Sequence, residues 1–219
     1  MIFIISCRKH EDMVADCISE VTVDSADMTS TVTSPQLAAI DNLFKLNNLS
    51  TANEQFFGID SNRYMPPGYN DSVSQVEVLA YRWYNNLPVF MWNDNLVFYN
   101  DILQPISIIY HGQVPGPDTT FHQSLESLRK IYQANFLKII ISGGVAITNN
   151  NVRHPSSGYL DSCLTAQPGY IDPVNFNQAS TYGSSLIKAW KVTPVGSAFP
   201  MVFIADSTGA AWPVSIAVP

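Results

Sequence analysis

The sequence predicts a mainly β protein, an antiparallel two-sheet β-sandwich with two or three short helices. The stretch between residues 75 and 110 is densely apolar and is interrupted at short intervals by Asn, Asp and Pro, which favour turns over strand pairing. It divides into four predicted strands: Val76–Tyr84, Val89–Trp92, Leu96–Tyr99 and Ile106–Tyr110. Such spacing is typical of an antiparallel meander.

Two details of this stretch shape the prediction. Its turns are expected at Asn85-Asn86-Leu87-Pro88, Asn93-Asp94-Asn95 and Asn100-Asp101. The run Val89–Trp92 does not alternate with polar residues, so both of its faces are expected to be covered. A second layer is therefore expected over the first.

Further strands are predicted towards the carboxyl end. They are Phe136–Ile141, Val145–Thr148, Leu186–Val192, Pro200–Ala205 and Ala211–Val218, with Gly143-Gly144 as a turn or bulge. In the last of these strands, large apolar side chains alternate with small ones. Because Pro213 cannot donate to a ladder, this strand is expected at a sheet edge. An edge of small side chains favours pairing with a neighbouring subunit.

Two helices are predicted from their start signals, and residues 11–21 are a third, ambiguous candidate. The first helix has Ser34 as its N-cap and Pro35 at its first helical position. Its apolar stripe consists of Leu37, Ile40, Leu43 and Phe44. The second helix begins at Thr120, which forms a capping box with Gln123. Its buried face consists of Leu125, Leu128 and Ile131.

The predicted organisation is an N-terminal segment and arm over residues 1–35, followed by a single β-sandwich domain over residues 36–219. Residues 22–34 are rich in Ser, Thr and Asp, which is typical of an arm that orders only against another surface. Residues 50–70 are interpreted as a surface excursion. Residues 152–185 are rich in Pro, Gly, Ser and Asn, and so long a loop more often serves binding or assembly.

Composition limits the possible partners. Only 13% of the residues are charged, about half of the usual quarter, so much of the surface is expected to be buried against neighbours. The net charge is −7 and the 11 Lys and Arg residues are scattered. Nucleic-acid binders concentrate these residues on one face, so no direct nucleic-acid binding is expected. No run is long enough to cross a bilayer, and no membrane span is expected.

The cysteines are expected to be reduced thiols. Cys7, Cys17 and Cys163 are odd in number and lack metal-site spacing. The apolar run at residues 1–5 is too short for the core of a signal peptide, which predicts folding in a cytosol. No cofactor is expected.

Two weak constellations could carry chemistry. Cys163 follows His154 and Asp161, a set that could supply a nucleophile, a base and an orienting carboxylate, although a packed small hydrophobic residue is the more ordinary interpretation of Cys163. A second set, His111, Asp118 and His122, has ligand types that suit a divalent metal, although a solvated loop is the more ordinary interpretation. Neither set forms a known motif, so no catalytic or metal-binding residue is predicted.

Interface residues are predicted in two places. The long loop contributes three aromatic residues, and the last strand contributes its edge. The residues are Tyr159, Tyr170, Tyr182, Trp212, Pro213 and Val214.

The strand runs at residues 76–110, 136–148 and 186–218, together with the polar arm and the edge-like last strand, resemble the small jelly-roll minor capsid proteins, of penton type, of icosahedral viruses. The resemblance implies a single jelly roll of two four-stranded sheets. It also implies a non-enzymatic structural virion protein, folded in the host cytosol, that forms a homo-oligomer such as a pentamer and binds other capsid subunits.

Two other function classes remain open. A glycan- or receptor-binding β-sandwich would use the loop aromatic residues together with Asn or Asp side chains. A cysteine-dependent hydrolase would use Cys163 or Cys7 as its nucleophile.

Overall fold

A computed structural model describes residues 17–21, 29–68, 70–109, 115–143, 163–173, 185–197 and 200–214. The elements, in chain order, are β1 (Ile18–Glu20), α1 (Ser34–Leu46), β2 (Glu54–Tyr64), β3 (Val73–Tyr84), β4 (Leu87–Tyr99), β5 (Ile102–Leu103), α2 (Leu125–Gly143), β6 (Leu164–Ile171), β7 (Ile187–Pro194), β8 (Met201–Ala205) and β9 (Ala211–Val214). The prediction of a mainly β chain is therefore confirmed, and these residues contain two helices.

The pairing of the strands is mixed. Antiparallel pairing joins β2 to β3 and β3 to β4, and it also joins β7 to β8 and β8 to β9. Strand β6, in contrast, runs parallel to both β1 and β4. The prediction of a purely antiparallel fold is wrong, because β6 pairs parallel with two strands. These pairings join segments far apart in sequence, which no local turn connects, and a sequence pattern does not reveal them.

The chain divides into two compact units. Unit one comprises Met1–Val21, Phe121–Gln167 and Ala189–Pro219, and unit two comprises Thr22–Thr120 and Pro168–Lys188. Two of the four unit boundaries fall within β6 and β7. This division differs from the predicted one, which separates residues 1–35 from residues 36–219.

Unit two is built on the β2–β3–β4 ladder, with helix α1 packed on one of its faces. The N-cap of α1 is Thr33, one residue earlier than the predicted Ser34, and the Thr33 backbone N–H donates to the side chain of Gln36. The buried residues of this layer are Ile40, Leu43, Phe44, Phe56, Val78, Ala80, Leu96 and Phe98. They include three residues of the stripe predicted for α1.

The hairpin turns of unit two use Asn and Asp in the left-handed region. Asn85 and Asn86, between β3 and β4, have φ angles of 51° and 61°, and Asn100 and Asp101, between β4 and β5, have φ angles of 47° and 66°. Two consecutive residues with positive φ form the turn type whose twist matches paired strands, and Asn and Asp tolerate it best after Gly. Both turns lie where the sequence predicts them.

The third predicted turn does not exist. Asn93, Asp94 and Asn95 lie inside β4, opposite Tyr81, Ala80 and Leu79 of β3. Met91 is 58% exposed, so the prediction that both faces of Val89–Trp92 are covered is wrong at that residue. The predicted strand Ile106–Tyr110 is reduced, among the residues described, to one bridge between Ile108 and Asn95.

The predicted surface excursion at residues 50–70 is also wrong, because it contains the 11-residue strand β2. Phe56 of β2 is buried against Phe44 of α1, with ring centroids 5.3 Å apart. The arm is partly described. The Thr31 backbone N–H donates to the Phe56 carbonyl oxygen, and the Phe56 N–H donates to the Ser30 hydroxyl. This end of the arm therefore orders against β2.

Unit one packs α2 against its strands. The buried core consists of Leu128, Tyr132, Leu164, Ala166, Trp190, Val192, Val202 and Ile204. The helix begins at Leu125, later than predicted, and continues through the segment predicted as the strand Phe136–Ile141. The β-branched run at residues 139–141 favours a strand locally, but the helix that precedes it has no breaker and extends through it. The prediction of a strand Val145–Thr148 lies outside the described residues.

At the amino end, Ile18–Glu20 is the strand β1 and not the end of a helix. It pairs parallel with Leu164–Ala166 of β6, and the Leu164 N–H donates to the Cys17 carbonyl oxygen at 2.8 Å. Residues 1–16 lie outside the described part of the chain.

Gly169 of β6 is expected to tolerate no side chain. A Cβ atom at this position would lie 2.5 Å from the Phe90 ring and 2.7 Å from the Pro88 carbonyl oxygen. We expect Gly169→Ala to lower the free energy of unfolding by about 2 kcal/mol through overpacking. Urea unfolding measures this change.

Gly116→Ala is the matched control, because a Cβ atom there meets nothing within 4 Å. Equal urea midpoints for the Gly169→Ala and Gly116→Ala variants would contradict the packing described for β6.

Candidate functional site

Unit two contains a buried cluster of charged side chains. Glu54 and Arg82 are cross-strand partners on β2 and β3, and Asp94 lies on the neighbouring strand β4. The side chains of Glu54 and Asp94 are only 4% and 0% exposed. The Arg82 guanidinium donates to Asp94 through Nε at 2.8 Å and also through Nη2, and Nη2 lies 2.5 Å from Glu54 Oε1.

Two neutral groups complete this cluster. The Trp92 indole N–H donates to Asp94 Oδ1 at 2.8 Å, and the Arg82 Nη1 group donates to the Tyr84 hydroxyl at 3.0 Å. Glu54 Oε2, in contrast, is buried without a donor. Burial, the largest cause, and the negative charge of Asp94 together raise the pKa of Glu54 to about 8, against the attraction of Arg82. The arrangement can therefore hold a proton.

Unit one contains a second polar centre around Asp206, which follows β8. Its side chain is 2% exposed and accepts hydrogen bonds from the backbone N–H groups of His122 and Gln123 and from the Trp190 indole. Burial acts to raise the pKa of Asp206, but these bonds together hold it below its ordinary value. The Asp206 carboxylate therefore holds in place the backbone of His122 and Gln123, just before the start of α2.

The His122 imidazole also faces Asp206, with Nδ1 3.1 Å from Oδ2. A base held by a carboxylate is part of a hydrolytic triad, but a triad also needs a nucleophile. The His122 side chain is 69% exposed, and within the described residues no hydroxyl or thiol bonds its ring. Among the described residues, this pair links Asp206 to the segment that precedes α2.

The structure describes two residues of the metal constellation, and each has another partner. Asp118 binds Lys188 at 2.7 Å, His122 faces Asp206, and His111 lies outside the described residues. Among the residues that the structure describes, no group of three His, Cys, Asp or Glu side chains could hold a metal ion.

The cysteine prediction is corrected by a disulfide. Cys17 and Cys163 are bonded in unit one, with their Cα atoms 4.8 Å apart. The parallel pairing of β1 with β6 brings the two cysteines together although 146 positions separate them. A disulfide-bonded sulfur is not a thiolate nucleophile, so Cys163 cannot serve the hydrolase alternative in this state. His154, Asp161 and Cys7 lie outside the described residues.

The predicted interface residues lie in different environments. Tyr170 is fully buried in unit two, where its hydroxyl accepts a hydrogen bond from the Asn85 amide at 3.1 Å. Pro213 is exposed in β9, while Trp212 and Val214 are half-buried there. Tyr159 and Tyr182 lie outside the described residues. An interface role for this set stays a prediction.

Comparison with known proteins adds no assignment. No protein-family model matches the chain, and no curated protein sequence matches it. In the described part of the chain, neither helix has the length and hydropathy that a membrane span requires.

Proposed function

We propose that this protein is a structural subunit that associates with copies of itself through strand edges. This is the role implied by the resemblance to penton-type minor capsid proteins. Under this proposal it performs no catalysis, and its oligomer binds other capsid subunits in a virion.

The observation that carries the proposal is the position of β9. Its ladder to β8 pairs Met201 with Val214 and Val202 with Pro213, and β9 is the last strand in the hydrogen-bonded order. Among the described strands, β8 is the only partner of β9. A strand with one ladder offers the backbone groups of its other side to a second chain.

A second edge supports association between unlike surfaces. β2 pairs with β3 on one side, and the described part of the arm bonds β2 at Gln55 and Phe56. The remainder of β2, from Gly58 to Tyr64, has no described strand on its outer side. Contacts between two different edges are heterologous, and they close into rings when the rotation between neighbours permits.

Exposed apolar side chains support burial against neighbours. Leu46, Ile102 and Ile106 of unit two are 68%, 65% and 62% exposed. Two of these residues lie in segments that the Asn47 side chain connects. Asn47, next to Leu46, donates to the Asp101 carbonyl oxygen and accepts from the Leu103 N–H, and these two residues flank Ile102. In a chain with 13% charged residues, such a surface is more typical of an assembly subunit than of an isolated monomer.

The finer parts of the proposal are a two-sheet jelly roll, a pentameric ring and a virion location. The disulfide bears on the location, because such bonds persist in oxidising surroundings, which include virion surfaces. We therefore propose that the chain folds in the host cytosol and that the bond between Cys17 and Cys163 closes after it leaves that reducing compartment.

A charge placed on β9 tests the proposal. We expect Val214→Lys to weaken self-association by about tenfold or more, because a charged edge opposes strand pairing. Sedimentation velocity over a concentration series measures the association.

Val195→Lys is the matched control, since Val195 is an exposed residue of unit one that follows β7. It should sediment as the unchanged protein does. If Val214→Lys also leaves sedimentation unchanged, β9 is not an assembly edge.

A further inference from the structure

We propose that the buried carboxyl group of Glu54 holds a proton at neutral pH and donates it in a hydrogen bond to Asp94, and that loss of this proton makes unit two less stable in alkaline solution. This inference is independent of the proposed function, since it concerns one folded chain.

The geometry assigns the proton to this pair. Two carboxylates and one guanidinium would leave a net negative charge in a site that is almost closed to solvent, which is costly. One proton removes that charge. The proton also gives Glu54 Oε2 a hydrogen bond. This oxygen is a buried acceptor without a donor, but once protonated it becomes a donor to the neighbouring carboxylate of Asp94.

The neighbours decide which carboxyl carries the proton. Asp94 already accepts hydrogen bonds on both of its oxygens, from Arg82 at Oδ2 and from the Trp92 indole at Oδ1. Glu54 Oε1 contacts Arg82, whereas Glu54 Oε2 has no donor among the described residues. The remaining titratable group of the cluster, Tyr84, accepts a hydrogen bond from Arg82. The proton therefore belongs mainly to Glu54, and Asp94 accepts its hydrogen bond.

The direction of the pH effect follows from linkage. The Glu54 pKa is about 8 in the folded chain and 4.5 as a free side chain. Between these values the folded state binds one more proton than the unfolded state, so stability falls as pH rises. Below 4.5 both states are protonated and above 8 both are ionised, and the contribution of Glu54 no longer changes with pH.

Urea unfolding at pH 5 and pH 9 tests the inference on two variants of β2. In the unchanged protein, ionisation of Glu54 is expected to lower the urea midpoint by about 1 to 2 M between pH 5 and pH 9. We expect Glu54→Gln to lack this decrease, because its amide donates to Asp94 at both pH values as the protonated carboxyl does. Asp60→Asn is the control. It removes a carboxylate from an exposed position of the same strand and should leave that decrease intact.

A Glu54→Gln midpoint that falls as much as that of the unchanged protein would overturn the inference. A second measurement covers a variant that fails to fold. Infrared difference spectroscopy of the unchanged protein should show a protonated carboxyl that ionises near pH 8, and the absence of any such carboxyl above pH 6 would also overturn the inference.

Discussion

Breaking the disulfide between Cys17 and Cys163 is expected to lower the free energy of unfolding by about 5 kcal/mol. The bond closes a loop across 146 sequence positions, and the loss of chain entropy in the unfolded state grows with the logarithm of that length. β1 is also attached through a parallel pairing of three residues with β6 and through Ile18, which packs against the core of unit one. Denaturant unfolding with and without a dithiol reductant measures the effect.

Serine variants supply the control for this prediction. Cys17→Ser, Cys163→Ser and the double variant should lose the same free energy, because each removes the same bond. None of them should respond to the reductant.

A count of thiols checks the bond itself. Alkylation of the denatured, unreduced chain should add one label, and alkylation after reduction should add three, because the chain has 3 cysteines and two of them are paired. Three labels without reduction would contradict the disulfide.

Removal of the Asp206 carboxylate is expected to cost about 3 to 5 kcal/mol. Asp206→Ala leaves the buried Trp190 indole and the backbone N–H groups of His122 and Gln123 without their acceptor. Asp206→Asn should cost less, because its amide retains one acceptor oxygen. Thermal and urea unfolding measure both variants.

His122→Ala is the matched control for Asp206. It removes an exposed imidazole and retains the backbone N–H that Asp206 binds, so it should cost less than about 1 kcal/mol. The pH dependence has a defined sign. Because the pKa of Asp206 is lowered in the folded state, its contribution is complete above the ordinary Asp range and is lost as pH falls below it. Equal losses for Asp206→Ala and His122→Ala would contradict this account.

Local signals predict the parts of the fold that depend on neighbouring residues. Asn85 and Asn86 mark the turn between β3 and β4, and the stripe that contains Ile40 marks the buried face of α1. These signals suffice because the turn and the helix form through contacts between residues close in sequence.

The errors occur where distant residues decide the structure. Asp94 belongs to a turn by local preference, but Arg82 and the ladder to β3 hold it within a strand. The pairing of β1 with β6, and the disulfide beside it, join segments that no sequence pattern links.

The charged cluster was missed for a related reason. An arginine between aromatic residues of a strand indicates that a buried partner is needed, and Arg82 lies between Tyr81 and Trp83. The sequence does not identify the partners, because Glu54 and Asp94 reach Arg82 from two different strands. Only the register of β2, β3 and β4 brings the two carboxyl groups together.

The measurement that tests the central claim most directly is the mass of the native particle formed by the purified, oxidised chain. Native mass spectrometry over a range of concentrations should give integer multiples of the chain mass, with one closed oligomer dominating. A single-chain mass at every concentration, alone and with candidate capsid partners, would contradict self-assembly.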